Sequence, residues 1–409
     1  MLSALNNVRT FLLAIFMIMA GSGFLSTLIA VRLELGGTPA PLIGLVGTAY
    51  FAGLTVGSLR VGKLIGQVGH IRSIAAFLSM FSASSLSYAL WQDVAFWTVL
   101  RFVDGFTIAG IFVCLESWLN DRTDSTTRSS ALAAYMVALY LGQALGQFLL
   151  NLSQEAPALP FMFSAILLSL ALLPVALTKA TQPAIQDMKP LSIKRLYGIS
   201  PLGVVGTAAT GVMLGAFYAL GAVFIRRLGL SISDVAFFTS CAIGGGVLLQ
   251  WPLGMLSDRF DRRRVLVSSF MMAALVCAAL TVLSEIRLLL FALGAMFGGL
   301  AFALYPLCVA HTNDHIEAGD RVGASGSLVM LYSAGAVAGP LIGSLGMAIF
   351  GPPGLFGTIG LAALLAALFG MWRLYAAPPV PSEDQTAYLG MARTTALAMT
   401  SEEEASEAL

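Results

Sequence analysis

Long apolar segments alternate with short polar or charged breaks along almost the whole of this 409-residue chain. Each apolar segment is close to the roughly 20 residues that an α-helix needs to cross a bilayer. Because an unpaired backbone cannot face lipid, these segments are predicted to be helices. The twelve predicted spans lie near residues 10–31, 42–61, 73–91, 95–118, 130–151, 159–177, 201–225, 234–253, 265–284, 287–310, 323–349 and 355–374.

The composition agrees with a membrane protein. Hydrophobic residues make up 58% of the chain, charged residues make up 11%, and the mean hydropathy is +0.87. A soluble chain of this length could not bury so much apolar surface. The net charge of +1 gives no reason to expect nucleic acid as a partner. The four cysteines lie in apolar segments, so they are expected to pack in the core rather than form disulfides.

Lysine and arginine are distributed unevenly between the loops that join the predicted spans. If the N-terminus is cytoplasmic, 17 of the 22 lysines and arginines fall on that side and four on the opposite side, and Arg101 lies within a span. Cytoplasmic loops of membrane proteins are enriched in these residues. The distribution therefore predicts that both termini are cytoplasmic.

Two spacing patterns repeat between the halves of the chain. The first consists of Asn120, Asp121, Arg128, Gly142 and Gly146, and it recurs 193 residues later as Asn313, Asp314, Arg321, Gly335 and Gly339. The second is a loop that begins at Gly62 and recurs 192 residues later from Gly254. Two patterns at almost one offset indicate a duplicated six-helix unit, which is typical of secondary transporters. The repeated glycines allow close helix contact, either between spans five and eleven or by ordinary packing.

The duplication predicts four parts of the chain. They are an N-terminal six-helix bundle over 1–177, a cytoplasmic central loop over 178–200, a C-terminal six-helix bundle over 201–375 and a cytoplasmic acidic tail over 376–409. The tail is polar and is predicted to be disordered. The predicted fold class is an all-α integral membrane protein with twelve transmembrane helices in two pseudo-symmetric six-helix bundles.

The repeated loop resembles that of the major facilitator superfamily, whose pattern is close to G-x-L-x-D-R-x-G-R-[KR]. The better copy consists of Gly254, Leu256, Asp258, Arg259, Arg262 and Arg263. In the first copy Gly66 replaces the acidic residue, and Gln67 and His70 replace basic ones. Arg101 and Gly105 match the R-x-x-x-G pattern of the fourth span. With the string ESWLN from Glu116, the chain resembles a poorly characterised bacterial branch of the superfamily.

The resemblance implies the twelve-helix fold of this superfamily and a transport function. Drug/proton antiporters of the superfamily often carry G-x-x-x-G-P in span five, whereas here Gln147 follows Gly146, which does not favour that branch. We expect a cytoplasmic gate formed by Gly62, Asp258, Arg259, Arg262, Arg128 and Arg321.

Charged residues inside a predicted span are concentrated in span four. Arg101 and Asp104 are three residues apart and share a helix face, and Asp104 lies roughly 14 Å from the start of the span. Charge at this depth is usually functional, so the pair is interpreted as a proton- or substrate-linked site, with a self-neutralising structural pair as the alternative. Glu116, at the cytoplasmic end, is a further proton-coupling candidate, but a gate ion pair is favoured for it. Its expected partners are Arg60, Lys63 or Arg128.

Polar side chains inside other spans predict a substrate cavity. The candidates are Tyr135, Gln143, Gln147, Tyr218, Gln250, Tyr305 and Tyr332. Buried tyrosine and glutamine also find local partners, so each residue is equally compatible with packing. His311 and His315, four residues apart with Asp314 beside them, could imitate a metal site, but no third firm ligand follows in the sequence, and no metal site is predicted.

These features predict a secondary active transporter of the bacterial cytoplasmic (inner) membrane, which moves a small solute by alternating access and is driven by protons. The alternatives are an uncoupled facilitator, a lipid or lysophospholipid flippase, and a non-transporting membrane sensor. The sequence has no catalytic constellation and no phosphate-binding loop, so an enzyme, a cofactor and ATP-driven transport are not expected. The expected partners are a small-molecule substrate and membrane lipid, and the chain is expected to be a monomer.

Overall fold

A computed structural model of the chain describes residues 2–121, 128–177, 190–376, 385, 386 and 388. Within these residues the fold is helical and contains twelve helices or broken helices long and apolar enough to cross a membrane. The α-helices are α1 (Leu2–Ser22), α2 (Leu25–Leu35), α3 (Ala40–Val68), α4 (His70–Leu90), α5 (Val94–Asp121), α6 (Arg128–Gly146), α7 (Leu159–Ala176), α8 (Ile193–Ile199), α9 (Pro201–Arg227), α10 (Ile232–Arg259), α11 (Arg262–Leu283), α12 (Arg287–Asn313), α13 (Arg321–Phe350) and α14 (Gly354–Ala376).

All twelve predicted spans are present, but two of them are not single α-helices. In the first span α1 ends at Ser22 and α2 begins at Leu25. The carbonyl oxygen of Gly23, between them, accepts a hydrogen bond of 3.1 Å from Nε2 of Gln147. In the fifth span α6 continues as a 3-10 helix over Gln147–Gln154. Glycine costs a helix about 1 kcal/mol relative to alanine, which favours a break at Gly23, but apolar periodicity does not reveal it.

The two halves repeat the same helix packing. In the first half α3 packs on α5, α4 on α7 and α1 on α6, and in the second half α10 packs on α12, α11 on α14 and α9 on α13. A Cβ atom on Gly105 would lie 1.9 Å from the carbonyl oxygen of Tyr50, and one on Gly298 would lie 1.9 Å from that of Ala242. Gly298 follows Gly105 by 193 residues, and Ala242 follows Tyr50 by 192 residues. The duplication therefore extends to individual backbone contacts.

The paired glycines of the fifth and eleventh spans pack within their own halves. A Cβ atom on Gly142 would lie 2.4 Å from the carbonyl oxygen of Phe16 in α1. The equivalent atom on Gly335 would lie 2.2 Å from the carbonyl oxygen of Ala208 in α9. Of the two arrangements that the sequence allowed, these glycines therefore serve packing inside each half, because they face α1 and α9.

The two halves meet along α2 and α3 with α9, α3 with α13, and α6 with α10. We call the two ends of the molecule the Glu34 end and the Arg262 end. At the Glu34 end Arg227 pairs with Glu34. Nearby, Ser233 Oγ donates a hydrogen bond of 2.9 Å to the side-chain oxygen of Asn151. Charged and polar contacts therefore join the halves at the Glu34 end.

Part of the C-terminal tail lies on the second half at the Arg262 end. The backbone N–H of Thr386 donates to Asp314 at 2.9 Å, and its carbonyl oxygen accepts from Arg262 at 2.6 Å. The backbone N–H of Tyr388 donates to Asp258 at 3.1 Å. These residues contact the bundle, and the predicted disorder of the acidic tail stays a prediction. The rest of the tail after residue 376, and residues 178–189 of the predicted central loop, lie outside the described residues.

Candidate functional site

Arg101 and Asp104 form a buried ion pair in α5. Their side chains are 3% and 0% exposed, and Arg101 Nη1 lies 3.3 Å from Asp104 Oδ2. The spacing of three residues places both side chains on one face of the helix. Removing two charges from water is costly unless hydrogen bonds satisfy their remaining polar atoms. The neighbours of the pair therefore decide whether it is stable.

Two hydroxyl groups of α4 complete the surroundings of Asp104. Ser84 Oγ donates to Oδ1 at 2.6 Å, and the Tyr88 hydroxyl donates to Oδ2 at 2.6 Å. Charge-assisted O–H···O⁻ bonds are typically about 2.5–2.7 Å long. Ser84 and Tyr88 are one helical turn apart, so both reach α5 from the same face of α4. Each carboxylate oxygen of Asp104 thus accepts a short hydrogen bond.

Arg101 connects this pair to the space between the halves. Its Nη2 donates to Ser26 Oγ at 2.5 Å, and its guanidinium carbon lies 4.2 Å from the ring centroid of Tyr50. Because Gly105 has no side chain, α3 packs closely against α5 at the Tyr50 backbone. At this crossing the Tyr50 ring lies over the Arg101 guanidinium. This contact gives the R-x-x-x-G spacing of Arg101 and Gly105 a physical reason.

A cavity of about 140 Å³ lies between the two halves, beside the Arg101–Asp104 pair. Ser26 and Tyr50, which contact Arg101, form part of its wall. The first half contributes residues from α1, α2, α3, α5 and α6, and the second half contributes residues from α9 and α13. Its polar and aromatic wall also includes Ser22, Tyr140, Gln143, Tyr218, Tyr332 and Ser333.

Comparison with known proteins identifies the family. The family model of the Major Facilitator Superfamily matches residues 10–195 and 202–389. The chain belongs to this superfamily. It is 32% identical over 320 residues to the uncharacterized MFS-type transporter YcaD of Escherichia fergusonii, which covers 77% of this chain and 82% of that protein. It is 29% identical over 348 residues to an uncharacterized MFS-type transporter of Enterobacter sp. strain 638, covering 84% of this chain and 90% of that protein.

Solved structures show the same superfamily fold. The nucleoside transporter NupG superposes with a TM-score of 0.73 at 13% identity, covering 90% of this chain and 98% of that chain. A bacterial homologue of the human lysosomal transporter Spinster, inward-facing and unoccupied, gives 0.71 at 13% identity, covering 94% and 98%. These similarities concern the fold alone. The predicted family and fold class are confirmed, and the protein is a multi-pass membrane transporter.

Three of the cavity candidates predicted from the sequence line the cavity of this transporter. They are Gln143, Tyr218 and Tyr332. Tyr305 lies against Tyr332, with 5.4 Å between the ring centroids. Gln147 donates a hydrogen bond to the Gly23 carbonyl oxygen at the break in the first span. Gln250 is buried in α10. The structure thus gathers part of the predicted set around one space, and substrate binding by these residues stays a prediction.

Glu116 is buried near the Arg262 end of α5 and is 4% exposed. It accepts a hydrogen bond of 3.3 Å from the hydroxyl of Tyr135, so Tyr135 contacts this carboxylate. Arg60 and Lys63, two of the expected ion-pair partners, are exposed. The side chain of Arg128, the third, lies outside the described part of the chain. The gate ion pair of Glu116 stays a prediction.

Two predicted gate residues of the second half, Asp258 and Arg262, form a charge cluster with Asp314 within that half. The Arg262 side chain is 1% exposed, and its Nη1 donates to both carboxylate oxygens of Asp314, at 2.8 and 2.9 Å. Its Nη2 donates to Asp258 at 2.7 Å. The structure therefore joins Asp258 and Arg262 by a contact between α10 and α11. The other described members of the predicted gate are Gly62 in α3, Arg259 in α10 and Arg321 at the start of α13.

Two carboxyl groups at the Arg262 end have shifted pKa values. Burial raises the pKa of Asp314, and the charge of Arg262 and the hydrogen bonds from Thr386 offset this only in part. Burial also acts to raise the pKa of Asp261, but hydrogen bonds from Arg263 and its charge outweigh it and hold that pKa below its usual value. Asp314 is therefore easier to protonate than Asp261.

Sequence reasoning missed four residues that surround the ion pair. They are Ser26, Tyr50, Ser84 and Tyr88. Ser84 and Tyr88 lie one turn apart in the third span, but that span holds five further serines, so their spacing did not single them out. Ser26 and Tyr50 had no sequence signal either, since their importance comes from the crossing of α2 and α3 with α5.

Proposed function

We propose that this transporter is a proton-coupled secondary active transporter, which moves a small solute across the bacterial cytoplasmic membrane by alternating access. One observation carries the proposal. Arg101 of the buried Arg101–Asp104 pair contacts Ser26 and Tyr50, which line the cavity. Occupation of the cavity and protonation of Asp104 can therefore influence each other through Arg101.

Arg101 is the moving part of the proposed coupling. In the present arrangement Arg101, Ser84 and Tyr88 stabilise an ionised Asp104. A solute that displaces Ser26 or Tyr50 would draw the guanidinium away from the carboxylate. An ionised carboxylate without an opposite charge is costly in an apolar environment, so Asp104 would then take up a proton. Proton uptake is in this way linked to solute binding.

The coupling site belongs to the first half only. The positions 193 residues after Arg101 and Asp104 are Gly294 and Phe297. Phe297 lies in an aromatic cluster, with its ring centroid 5.2 Å from that of Phe217. These apolar counterparts cannot titrate. We therefore propose that the coupled proton binds in the first half, and that the second half serves to close the cavity.

The proposed cycle rocks the two halves about the cavity. The excess of lysine and arginine at the Arg262 end favours a cytoplasmic position for that end and for both termini. Glu34 and Arg227 would then close the opposite side, and the cavity would exchange solute with the cytoplasm in this state. Contacts at the Glu34 end would break when the other side closes.

Transport by purified protein in proteoliposomes tests this function. Vesicles are incubated with a mixture of bacterial metabolites, with and without an imposed pH difference, and their contents are compared by mass spectrometry. We expect at least one solute to accumulate only under the pH difference. Asp104→Asn should abolish this accumulation while the same solute still equilibrates across the membrane. Asp93→Asn, at an exposed carboxylate, is the matched control and should behave like the unaltered protein.

The alternatives give different results in the same experiment. An uncoupled facilitator equilibrates a solute and does not respond to the pH difference. A membrane sensor moves no solute. Accumulation by Asp104→Asn under the pH difference alone would contradict the role of Asp104, and Glu116 would be the next carboxylate to test.

A further inference from the structure

Aromatic side chains from both halves dominate the polar part of the cavity wall. Tyr50 and Tyr140 come from the first half, and Tyr218 and Tyr332 come from the second. Aromatic faces of this kind bind planar rings by stacking or edge-to-face contact, which prefer centroid distances of about 4.5–7 Å. The position of the rings on both halves means that one bound molecule can contact both.

Each of these four tyrosines packs against another side chain that does not line the cavity. Phe302 stacks between Tyr140 and Tyr218, with centroid distances of 5.6 and 6.0 Å. Tyr305 packs against Tyr332 at 5.4 Å, and Arg101 covers one face of Tyr50. Rings held by such a second layer lose little freedom when a ligand binds, which favours affinity. The aromatic wall is therefore built in advance of binding.

The described wall of this cavity contains no charged side chain, and Arg101 lines only a smaller adjoining pocket, which shares Ser26, Tyr50 and Tyr218 with it. Asp104 lies behind it and is occupied by Arg101, Ser84 and Tyr88. The charge of Arg101 is balanced by Asp104, so an anionic solute gains little from it. A cation would approach Arg101 across the Tyr50 ring and find no carboxylate in the wall. Both signs of charge are thus disfavoured relative to a neutral molecule.

One buried hydroxyl in the wall has no hydrogen-bond partner among the described residues. Ser333 is 1% exposed and lines the cavity next to Tyr332. A buried polar group without a partner is costly, so a solute that hydrogen-bonds to Ser333 would remove this cost. Gln143 adds an amide to the wall on the opposite half.

The size of the cavity limits the ligand to about one ring. Its volume is about 140 Å³. An apolar cavity of about 150 Å³, engineered into another protein, accepts benzene.

We propose that the cavity binds an uncharged solute with one planar ring and a hydrogen-bonding substituent, which is held between the tyrosines and contacts Ser333. This inference rests on the proposed transport function, because it names the substrate class of the same cavity. It is tested by binding rather than by transport, so the two can fail separately.

Four probes of similar size separate ring, charge and shape. They are nicotinamide, the anion nicotinate, the cation 1-methylnicotinamide and the saturated cyclohexanecarboxamide. Binding to the full-length protein in nanodiscs is measured by isothermal titration calorimetry at pH 7. We expect nicotinamide to bind at least tenfold more tightly than each of the other three. Equal or tighter binding of a charged or saturated probe, or no binding of nicotinamide, would overturn the proposal.

Ser333→Ala tests the hydrogen bond directly. Loss of one neutral hydrogen bond should weaken nicotinamide binding about three- to tenfold. Ser325→Ala is the matched control, because Ser325 is also buried in α13 but does not line the cavity, and it should leave the affinity unchanged. An equal effect of both variants would remove Ser333 from the site. If nicotinamide binds as expected while the proteoliposomes transport nothing, the substrate class stands and the transport function fails.

Discussion

Arg227 donates two hydrogen bonds across the interface between the halves to Glu34, from Nε at 2.8 Å and from Nη2 at 2.9 Å. The two parallel bonds give the pair a defined geometry as well as attraction between opposite charges. Arg227 ends α9, and Glu34 lies in the last turn of α2. The pair therefore bridges the first and seventh spans at one end of the molecule, where it can act as a latch.

Breaking the latch should populate the state that is open at the Glu34 end. A partly exposed ion pair is worth up to about 1 kcal/mol, so Glu34→Gln should shift the ratio of the two states by up to about fivefold. Spin labels at Leu35 and Leu288, both exposed at this end, report the change as a longer distance population. Glu285→Gln serves as the control. The exchanged pair Glu34→Arg with Arg227→Glu should restore the original ratio, and failure to do so would argue against a latch.

Arg101→Ala should destabilise the protein by up to about 3–5 kcal/mol, because the buried Asp104 must then either stay ionised without its opposite charge or take up a proton. Adding Asp104→Asn in the same protein should recover most of this loss, since the remaining amide carries no charge. Thermal unfolding in nanodiscs compares the single and double variants, with Arg60→Ala at an exposed position as the control. If the double variant is as unstable as Arg101→Ala alone, charge compensation is not the reason for the effect.

Substitution of the two carboxylates that contact Arg262 should lower the free energy of unfolding by different amounts. Asp314 and Arg262 are both 1% exposed, so Asp314→Ala removes the buried counter-charge of Arg262, leaves it only the partly exposed Asp258, and should cost up to about 3–5 kcal/mol. The Asp258 side chain is 40% exposed, and Asp258→Asn should cost at most about 1 kcal/mol. Unfolding of the two variants in the same detergent measures the difference. Equal losses would mean that burial does not control this cluster.

Gly105→Ala should separate α3 from α5. Its Cβ atom would lie 1.9 Å from the Tyr50 carbonyl oxygen, and backbone atoms cannot rotate away as a side chain can. Overpacking of this kind costs about 1–3 kcal/mol, and it should also lower coupled transport by lifting Tyr50 from Arg101. Gly357→Ala is the matched control, because no atom lies within 4 Å of its added Cβ. Unfolding and proteoliposome transport are measured for both, and identical behaviour would refute the proposed role of this contact.

The orientation in the membrane is tested by single cysteines in a background without the four native ones. A cysteine at Lys189 should be labelled from the cytoplasmic side, as the lysine and arginine distribution predicts. A cysteine at Glu285, between α11 and α12, should be labelled from the opposite side. A cysteine at Glu155, between the 3-10 helix and α7, provides a second position expected to label with Glu285. Labelling of Lys189 and Glu285 from the same side would contradict the predicted topology.

The twelve spans, the duplication and the charge inside span four could all be predicted from the sequence alone. Span length depends on local apolar composition, and repetition is visible at offsets of 192 and 193 residues. The proximity of Arg101 to Asp104 also followed, because three residues along a helix fix a shared face. These features needed no knowledge of how one helix lies against another.

The surroundings of that charge depend on how the helices pack against one another. Ser84, Tyr88, Ser26 and Tyr50 reach the pair from three other helices, and their contacts depend on the rotation and depth of each helix. A span that is apolar on every side does not encode its rotation in the hydrophobic pattern. The break at Gly23 was not predicted either, because apolar periodicity does not reveal a break within an apolar segment. The cavity is likewise a property of packing, because its wall combines α1, α2, α3, α5 and α6 with α9 and α13, which only the meeting of the two halves brings together.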